Sequence, residues 1–549
     1  MKKMISVFAS RIFSPIVILI LFCFTKGFSQ EQDSIVNAGD AMLPKFDVPE
    51  FQVTGKEIIA LPPSAKKNTV EFKSFDATKV ILQPPDKRKN AFDEKFSLFP
   101  LETDSIQLYP LRASIRIGRF LFQQLEVSYG IKKDIASYFT KGQLQSSRGF
   151  QKNTDYEKGE VFFQANFFEQ MASNRDYILN SASVRYNFMR YRFYGSNNPT
   201  RKSKMSALEF SGDLRSKGDQ SLFKNINLQW NNFFFSDSVR RNESRINIFS
   251  TGNILFKNYL IESENGIDYN VLESAADPFV ISSRNLTAVY HDTTSLFHIG
   301  LAGFLYQNSN SVINALLTPQ IEYNYFFKNN LRTTLGFTPN VEAHHLQDLH
   351  YVNPFVGTAA KVFHTKNYLN FFAQTQYAPF SELEIHSELR YKKSNFFPFM
   401  IDSFSTGVWK PQYSGTTTSL IWNIETKYIF NSQQSIVGKF LIQRVKNSLF
   451  SEQLPYIHPV KLHIGYTYKF DFPLDASVSS SYSGQQTTEI DSAKKLNDVF
   501  LTDVFLHYTI NSNFSAQLAV YNIFDRQYYL WKNYRGEPMI FSLNIIGRW

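Results

Sequence analysis

From about Leu111 to Trp549 the chain is a long series of segments in which apolar and polar residues alternate. Leu125, Val127 and Tyr129 alternate with Glu126 and Ser128, and Leu208, Phe210 and Leu214 with Glu209, Ser211 and Asp213. The clearest segment places Leu462, Ile464, Tyr466, Tyr468 and Phe470 on one face and Lys461, His463, Thr467 and Lys469 on the other. Period-two alternation puts each set on its own side of a β-strand. A strand with charges on one face and aromatics on the other has one wet face and one greasy face.

A soluble sandwich would bury its aromatic faces over a shared core, and so many strands would need many partner layers. A barrel in lipid has no such need. Its aromatic face meets acyl chains and its charged face a watery lumen, and segments of about 9 to 15 residues suffice for a tilted crossing. Aromatics make up 16% of the chain, with 54 Phe and 29 Tyr, which fits lipid-facing strands with interfacial girdles. After Ser29 no apolar run reaches the length of a transmembrane helix, so a spanning mature chain has to be a closed barrel.

The closing strand is Pro538 to Trp549, in which Met539, Phe541, Leu543, Ile545 and Trp549 face one way and Ser542, Asn544, Ile546 and Arg548 the other. With Phe541, Leu543 and Trp549 on one face and an aromatic at its end, the strand resembles the C-terminal signal by which the barrel assembly machinery recognises outer-membrane proteins. Residues 106–549, at roughly 20 residues per strand with its connections, give about 22 antiparallel strands, an all-β fold. Phe472-Pro473, Asn511-Ser512-Asn513 and Lys328-Asn329-Asn330 read as tight periplasmic turns. Val341 to Pro354, Phe396 to Tyr413 and Gly484 to Asn497 read as external loops.

The amino end divides in two. Residues 1–29 carry a basic start (Lys2, Lys3, Arg11), an apolar stretch from Ile12 to Phe24 and a small-residue cleavage site at Gly27-Phe28-Ser29, the pattern of a secretory signal. Residues 30–105 are charged and broken by Pro44, Pro49, Pro62-Pro63 and Pro84-Pro85, a composition that builds no compact core of its own. This tail is expected at the periplasmic mouth or in the lumen. The only cysteine, Cys23, lies in the signal, so the mature chain is expected to use neither disulfide nor thiol chemistry. Of the net charge of +10, the four signal-region cations account for four, and the dispersed +6 left gives no nucleic-acid footprint.

Four stretches resemble TonB-dependent outer-membrane receptors: Leu454-Pro455-Tyr456-Ile457-His458-Pro459-Val460-Lys461-Leu462, then Tyr468-Lys469-Phe470, then Asn522-Ile523-Phe524-Asp525-Arg526-Gln527-Tyr528-Tyr529, and the closing strand. Val53-Thr54-Gly55-Lys56 is similar to the stretch by which such receptors meet a periplasmic energy-coupling protein, and would dock by strand addition. The resemblance implies a 22-strand barrel in the outer membrane of a Gram-negative bacterium. The family's globular plug needs well over a hundred residues, and the 76 between Ser29 and residue 106 do not accommodate it. A plug-less transport or pore protein for an unidentified solute is therefore expected, with a non-transporting subunit of an envelope assembly or secretion complex as the other reading.

Chemistry is sparse. Glu342-Ala343-His344-His345-Leu346-Gln347-Asp348-Leu349-His350 is the densest reactive cluster, and His344, His345 and His350 are weak metal candidates without closed-site spacing. Solvated polar residues in an external loop are the expectation there. His298, His364, His386, His463 and His507 have no informative spacing, Asp525 is expected to cap its turn, and neither enzyme activity nor a cofactor is expected.

Overall fold

The computed structural model describes residues 111–549, apart from residues 134–135, 171–176, 217–223, 238, 257–258, 274–275, 293, 328–329, 359, 403–404, 451–452 and 490–493. Residues 1–29, read above as a signal, the 30–105 segment and the Val53–Lys56 stretch lie outside the described residues. The described chain is a closed antiparallel barrel in which each wall strand pairs with the next. The last strand, Ile540–Arg548, pairs with the first, Leu111–Gly118, from Arg112↔Arg548 to Gly118↔Ser542. Leu111 and Trp549 exchange backbone hydrogen bonds of 2.9 and 2.8 Å at the lower end of this seam. At its upper end a Cβ on Gly118 would stand 2.7 Å from the Phe541 carbonyl oxygen, so only glycine lets the two strands meet there.

The sheet has 23 strands because one wall strand is broken in two, Leu331–Phe337 and Asn340–Glu342; counted as one, it gives the 22 expected. The break has a cause in the sequence. The register Ile321↔Phe337 would next set Pro319 opposite Pro339, and neither can donate to the ladder. Pro339 instead offers its carbonyl to the side chains of Thr318 (3.3 Å) and Gln320 (3.0 Å). The chain then turns inward, and Val341 packs on Val280 and Tyr306 of the lumen wall.

The wall has unequal height. Strands such as Arg240–Phe256 (17 residues) and Tyr177–Arg192 (16 residues) are about twice as long as the seam strands of 8 and 9 residues. Both ends of the described chain and the short turns share one end of the barrel. At Asn511, for example, the side-chain oxygen accepts from Asn513 N (2.9 Å) and Phe514 N (2.8 Å). The long connections gather at the other end, which marks it as the outer surface of an outer-membrane protein.

Alternation is realised as read. In the closing strand Phe541, Leu543, Ile545 and Trp549 are exposed toward lipid while Ser542, Asn544, Ile546 and Arg548 are buried. Leu462, Ile464, Tyr466 and Phe470 are likewise exposed. On the lumen side charges pair across strands: Arg284 with Glu264 (3.3 Å) and Glu322, Lys439 with Glu425 (2.8 Å), Lys141 with Glu126 (3.4 Å). Cross-pairing offsets the cost of partly burying these charges.

Candidate functional site: the outer mouth

The largest apolar core lies not in the wall but over the outer mouth, where connections from around the rim converge. It joins Leu346, Leu349, Phe355, Val356 and Phe363 of the 343–364 connection with Phe399, Met400 and Trp409 of 396–415. Leu454, Tyr456 and Ile457 come from 448–459, and Trp531 and Tyr534 from the segment before the closing strand. These pack on inward-facing wall residues including Met189, Met205, Phe233 and Phe235. Trp409 and Tyr534 are fully buried, Phe355 stacks on Tyr534 at 3.6 Å between ring centroids, and Trp409 lies 5.4 Å from both Trp531 and Tyr534. The Tyr534 hydroxyl donates to the Gly407 carbonyl at 2.7 Å. Gly407 has φ +74°, and a Cβ there would stand 2.5 Å from Ser196 Cα, so the 193–201 loop is stitched in through a position that favours glycine.

Within the 343–364 connection sits one short helix, α1 (Leu346–Val352). Seven residues are too few for a self-supporting helix, and its N-cap, His345, makes no side-chain capping bond. The wall supplies the cap. Glu243 accepts the N–H of Leu346 at Oε1 (2.7 Å) and of Gln347 at Oε2 (2.9 Å), and Asn270 holds Glu243 Oε1 at 2.7 Å. Asn231 donates to the Gln347 side-chain oxygen at 2.5 Å, and Gln347 in turn reaches the Tyr351 hydroxyl at 3.0 Å. Pro354 ends the helix, with Asn353 N still bonded to Leu349 O at 3.0 Å.

His345 is the keystone of this docking. Its Nδ1 meets Asp348 Oδ2 at 2.8 Å and its Nε2 meets Asp268 Oδ1 at 2.9 Å, while Asp268 also binds Arg245 at 3.1 Å and Asn247 at 3.0 Å. Two carboxylates on two ring nitrogens favour the doubly protonated ring, the imidazolium, in which both N–H groups donate. Burial and the neighbouring Arg245 oppose the charge, but Asp268 and Asp348 outweigh them and hold the His345 pKa above its ordinary value. With both nitrogens engaged, His345 has none free to act as a base.

The solvated-loop expectation for the histidine cluster is corrected: His344, His345 and His350 are all buried, at 2%, 1% and 0% exposure. The reason is that Leu346 and Leu349 anchor the segment in the apolar core and draw the histidines in with them. The three serve different ends. His344 N donates to His364 Nδ1 (3.1 Å) and its Nε2 meets Thr365 Oγ1 (3.2 Å). His350 lies against Phe235 with ring centroids 3.9 Å apart, Nδ1 bonded to the Leu346 carbonyl at 2.9 Å, and burial lowers its pKa to about 4. Among the described residues no group of three or more His, Cys, Asp or Glu side chains is arranged to hold a metal ion.

Sequence reasoning did not find Glu243, Asp268, Arg245 or Asn231: nothing in the order of the chain ties Asp268 to a histidine 77 positions away. Nor did it find the role of 522–539. Asn522 rather than Asp525 caps the first turn there, accepting Arg526 N at 2.9 Å, while Asp525 reaches on to Met539 N at 2.7 Å. Beside α1, a cavity of about 120 Å³ is lined by Lys158, Glu160, Arg185, Asn187, Met205 and Tyr351, among others, room for a few waters.

No family model matches this sequence, and no curated protein does. Solved structures do. The ferric-catecholate import receptor Fiu from K12 E. coli, in its closed form, aligns over 80% of this chain and 82% of its own, at 12% identity and TM-score 0.57. The copper transporter OprC aligns over 80% of each chain at 10% identity and TM-score 0.60. The FrpB iron transporter from Neisseria meningitidis aligns over 81% of this chain and 83% of its own, at 9% identity and TM-score 0.61. The fold is the 22-strand barrel of these transporters. At such identities the likeness is one of fold.

Proposed function

We propose that this protein is an outer-membrane transport barrel of the TonB-dependent receptor type that lacks the full plug and takes up an as yet unidentified solute. The observation that carries this reading is the docking of α1 on the lumen wall by the His345 imidazolium and the Glu243 cap, within loops that converge over the outer mouth. A wall-latched loop is a component a gated conduit needs. The neighbours named as importers and transporters of iron, siderophores and copper support the class, and the small cavity beside α1, lined by polar and apolar side chains alike, leaves the solute open. At the other end, residues 30–105 enter or cover the periplasmic mouth in this reading, and Val53, Thr54, Gly55 and Lys56 offer a strand to a periplasmic energy-coupling protein.

The second reading, a non-transporting subunit of an envelope complex, is favoured by one observation: Trp409, Tyr534 and Phe355 are as deeply buried as a permanent core. Planar-bilayer conductance separates the two. Under the transport reading, wild type conducts little and a Glu243→Gln/His345→Ala variant opens steps well above it. Under the scaffold reading both stay silent, and stoichiometric partners co-purify.

A further inference from the structure

Above the apolar band on the tall side of the barrel runs a row of outward-facing charges fixed by strand register. Glu157 pairs with Arg190, Arg190 is on the other side of the ladder opposite Lys204, Lys204 is opposite Ser236, and Ser236 opposite Arg240. One step higher, Arg192 stands opposite Lys202. Of the five cations in these two rows, Arg190 is paired with Glu157 (3.1 Å) and Arg192 with Asp155 (2.9 Å). No ion pair engages Lys202, Lys204 or Arg240 among the described residues, and all three are exposed. Like charges directly opposite on adjacent strands, as at Arg190↔Lys204 and Arg192↔Lys202, destabilise a sheet; Glu157 and Asp155 offset the two arginines and leave the charges of Lys202, Lys204 and Arg240 for an outside anion.

The row sits where such an anion would be. Directly below it the same face carries Val161, Phe163, Tyr186, Phe210 and Trp230, an acyl-chain surface. The guanidinium of Arg190 lies 5.7 Å over Phe188 and that of Arg240 5.5 Å over Phe234, so each cation is held at the boundary between aromatic ring and headgroup. Arg190 lies 13 residues beyond Tyr177 along its strand, a span of about 30 Å at the usual tilt, which exceeds the apolar band of about 25 Å typical of such barrels. We infer that Arg190, Lys202, Lys204 and Arg240 form a binding site for a phosphate-bearing lipid of the outer leaflet. Its phosphates bridge the opposed cations while its acyl chains lie along the apolar face below. Cations at the rim bind phosphate as charge-assisted donors, and juxtamembrane cations attract anionic lipid additively.

The test is native mass spectrometry of the full-length protein in detergent, titrated with diphosphoryl lipid A, monophosphoryl lipid A and phosphatidylcholine. Diphosphoryl lipid A is expected to bind tightest and the zwitterionic lipid weakest. In an Arg190→Gln/Lys204→Gln/Arg240→Gln variant the affinity for diphosphoryl lipid A is expected to fall on the order of a hundredfold, with heat-modifiable migration retained. Equal affinity for all three lipids in wild type overturns the site without recourse to a variant, as does an unchanged affinity in the folded variant. Full displacement of the lipid by millimolar inorganic phosphate would make this a free-anion site and equally overturn the inference.

Discussion

The wall and the outer mouth of this barrel are stabilised by opposite means. In the wall, each strand pairs with its sequence neighbour, with apolar residues toward lipid and paired charges such as Arg284 and Glu264 toward the lumen. In the mouth, residues as far apart as Phe193, Trp409 and Tyr534 share one apolar core, and polar groups such as His345 are buried beneath it. The wall is held by short-range pairing with lipid as its solvent, the mouth by long-range contacts of the kind found inside soluble proteins. The two regions should therefore respond to different perturbations, and substitutions in one should leave the other intact.

The largest separation is expected on the closing strand. Leu543 faces lipid at mid-wall opposite Ile117, and Leu543→Arg should cost about 2–4 kcal/mol of barrel stability. Loss of the heat-modifiable species is the readout, and Trp549→Lys, nearer the interface, should lower assembled protein less steeply. Conversely, Trp409→Ala should cost about 3–5 kcal/mol within the mouth core while the barrel still migrates as folded. Hydrogen exchange should rise at Gly357, whose N–H bonds the Trp409 carbonyl, and stay unchanged across the Leu111–Trp549 seam. If barrel and mouth lose protection together, they form one cooperative unit and the contrast fails.

A smaller effect is expected from pH. His345 binds its proton more tightly in the docked loop than in the undocked one, because its pKa is raised there. Its contribution is therefore complete below the ordinary histidine value of about 6.5 and fades as pH climbs through the higher folded value. Hydrogen exchange at Leu346 and Gln347 should accelerate on raising pH beyond the intrinsic base-catalysed increase, and His345→Gln should abolish that excess. The groups facing His345 are Asp268, Arg245 and Glu243 from the wall and Asp348 from α1. An excess that survives His345→Gln would assign the titration to one of them.

The same contrast explains what was legible in the sequence. Alternation such as Leu462 to Phe470 specifies the wall because a one-residue slip would turn every charge to lipid, and the tight turns follow from Asn511 and Pro473. The broken strand was not legible, because Pro319 and Pro339 come opposite each other only through the register of the folded strands. Nor was the mouth. Its burial depends on which loops meet, and a segment reading Glu-Ala-His-His-Leu-Gln-Asp-Leu-His looks solvated until Leu346 and Leu349 find a core and Asp268 finds His345.

The central claim is that the 343–364 connection is docked on the lumen wall and not free above the mouth. Its most direct test uses Asn231→Cys/Gln347→Cys, whose native side chains are 2.5 Å apart, in a Cys23→Ser background that removes the chain's own cysteine. Treatment of intact outer membranes with a short bis-methanethiosulfonate should cross-link this pair in most molecules, and adding His345→Ala should lower the yield. A pair that stays uncross-linked while each cysteine alone is readily modified would mean that the connection lies away from the wall, and would contradict the account.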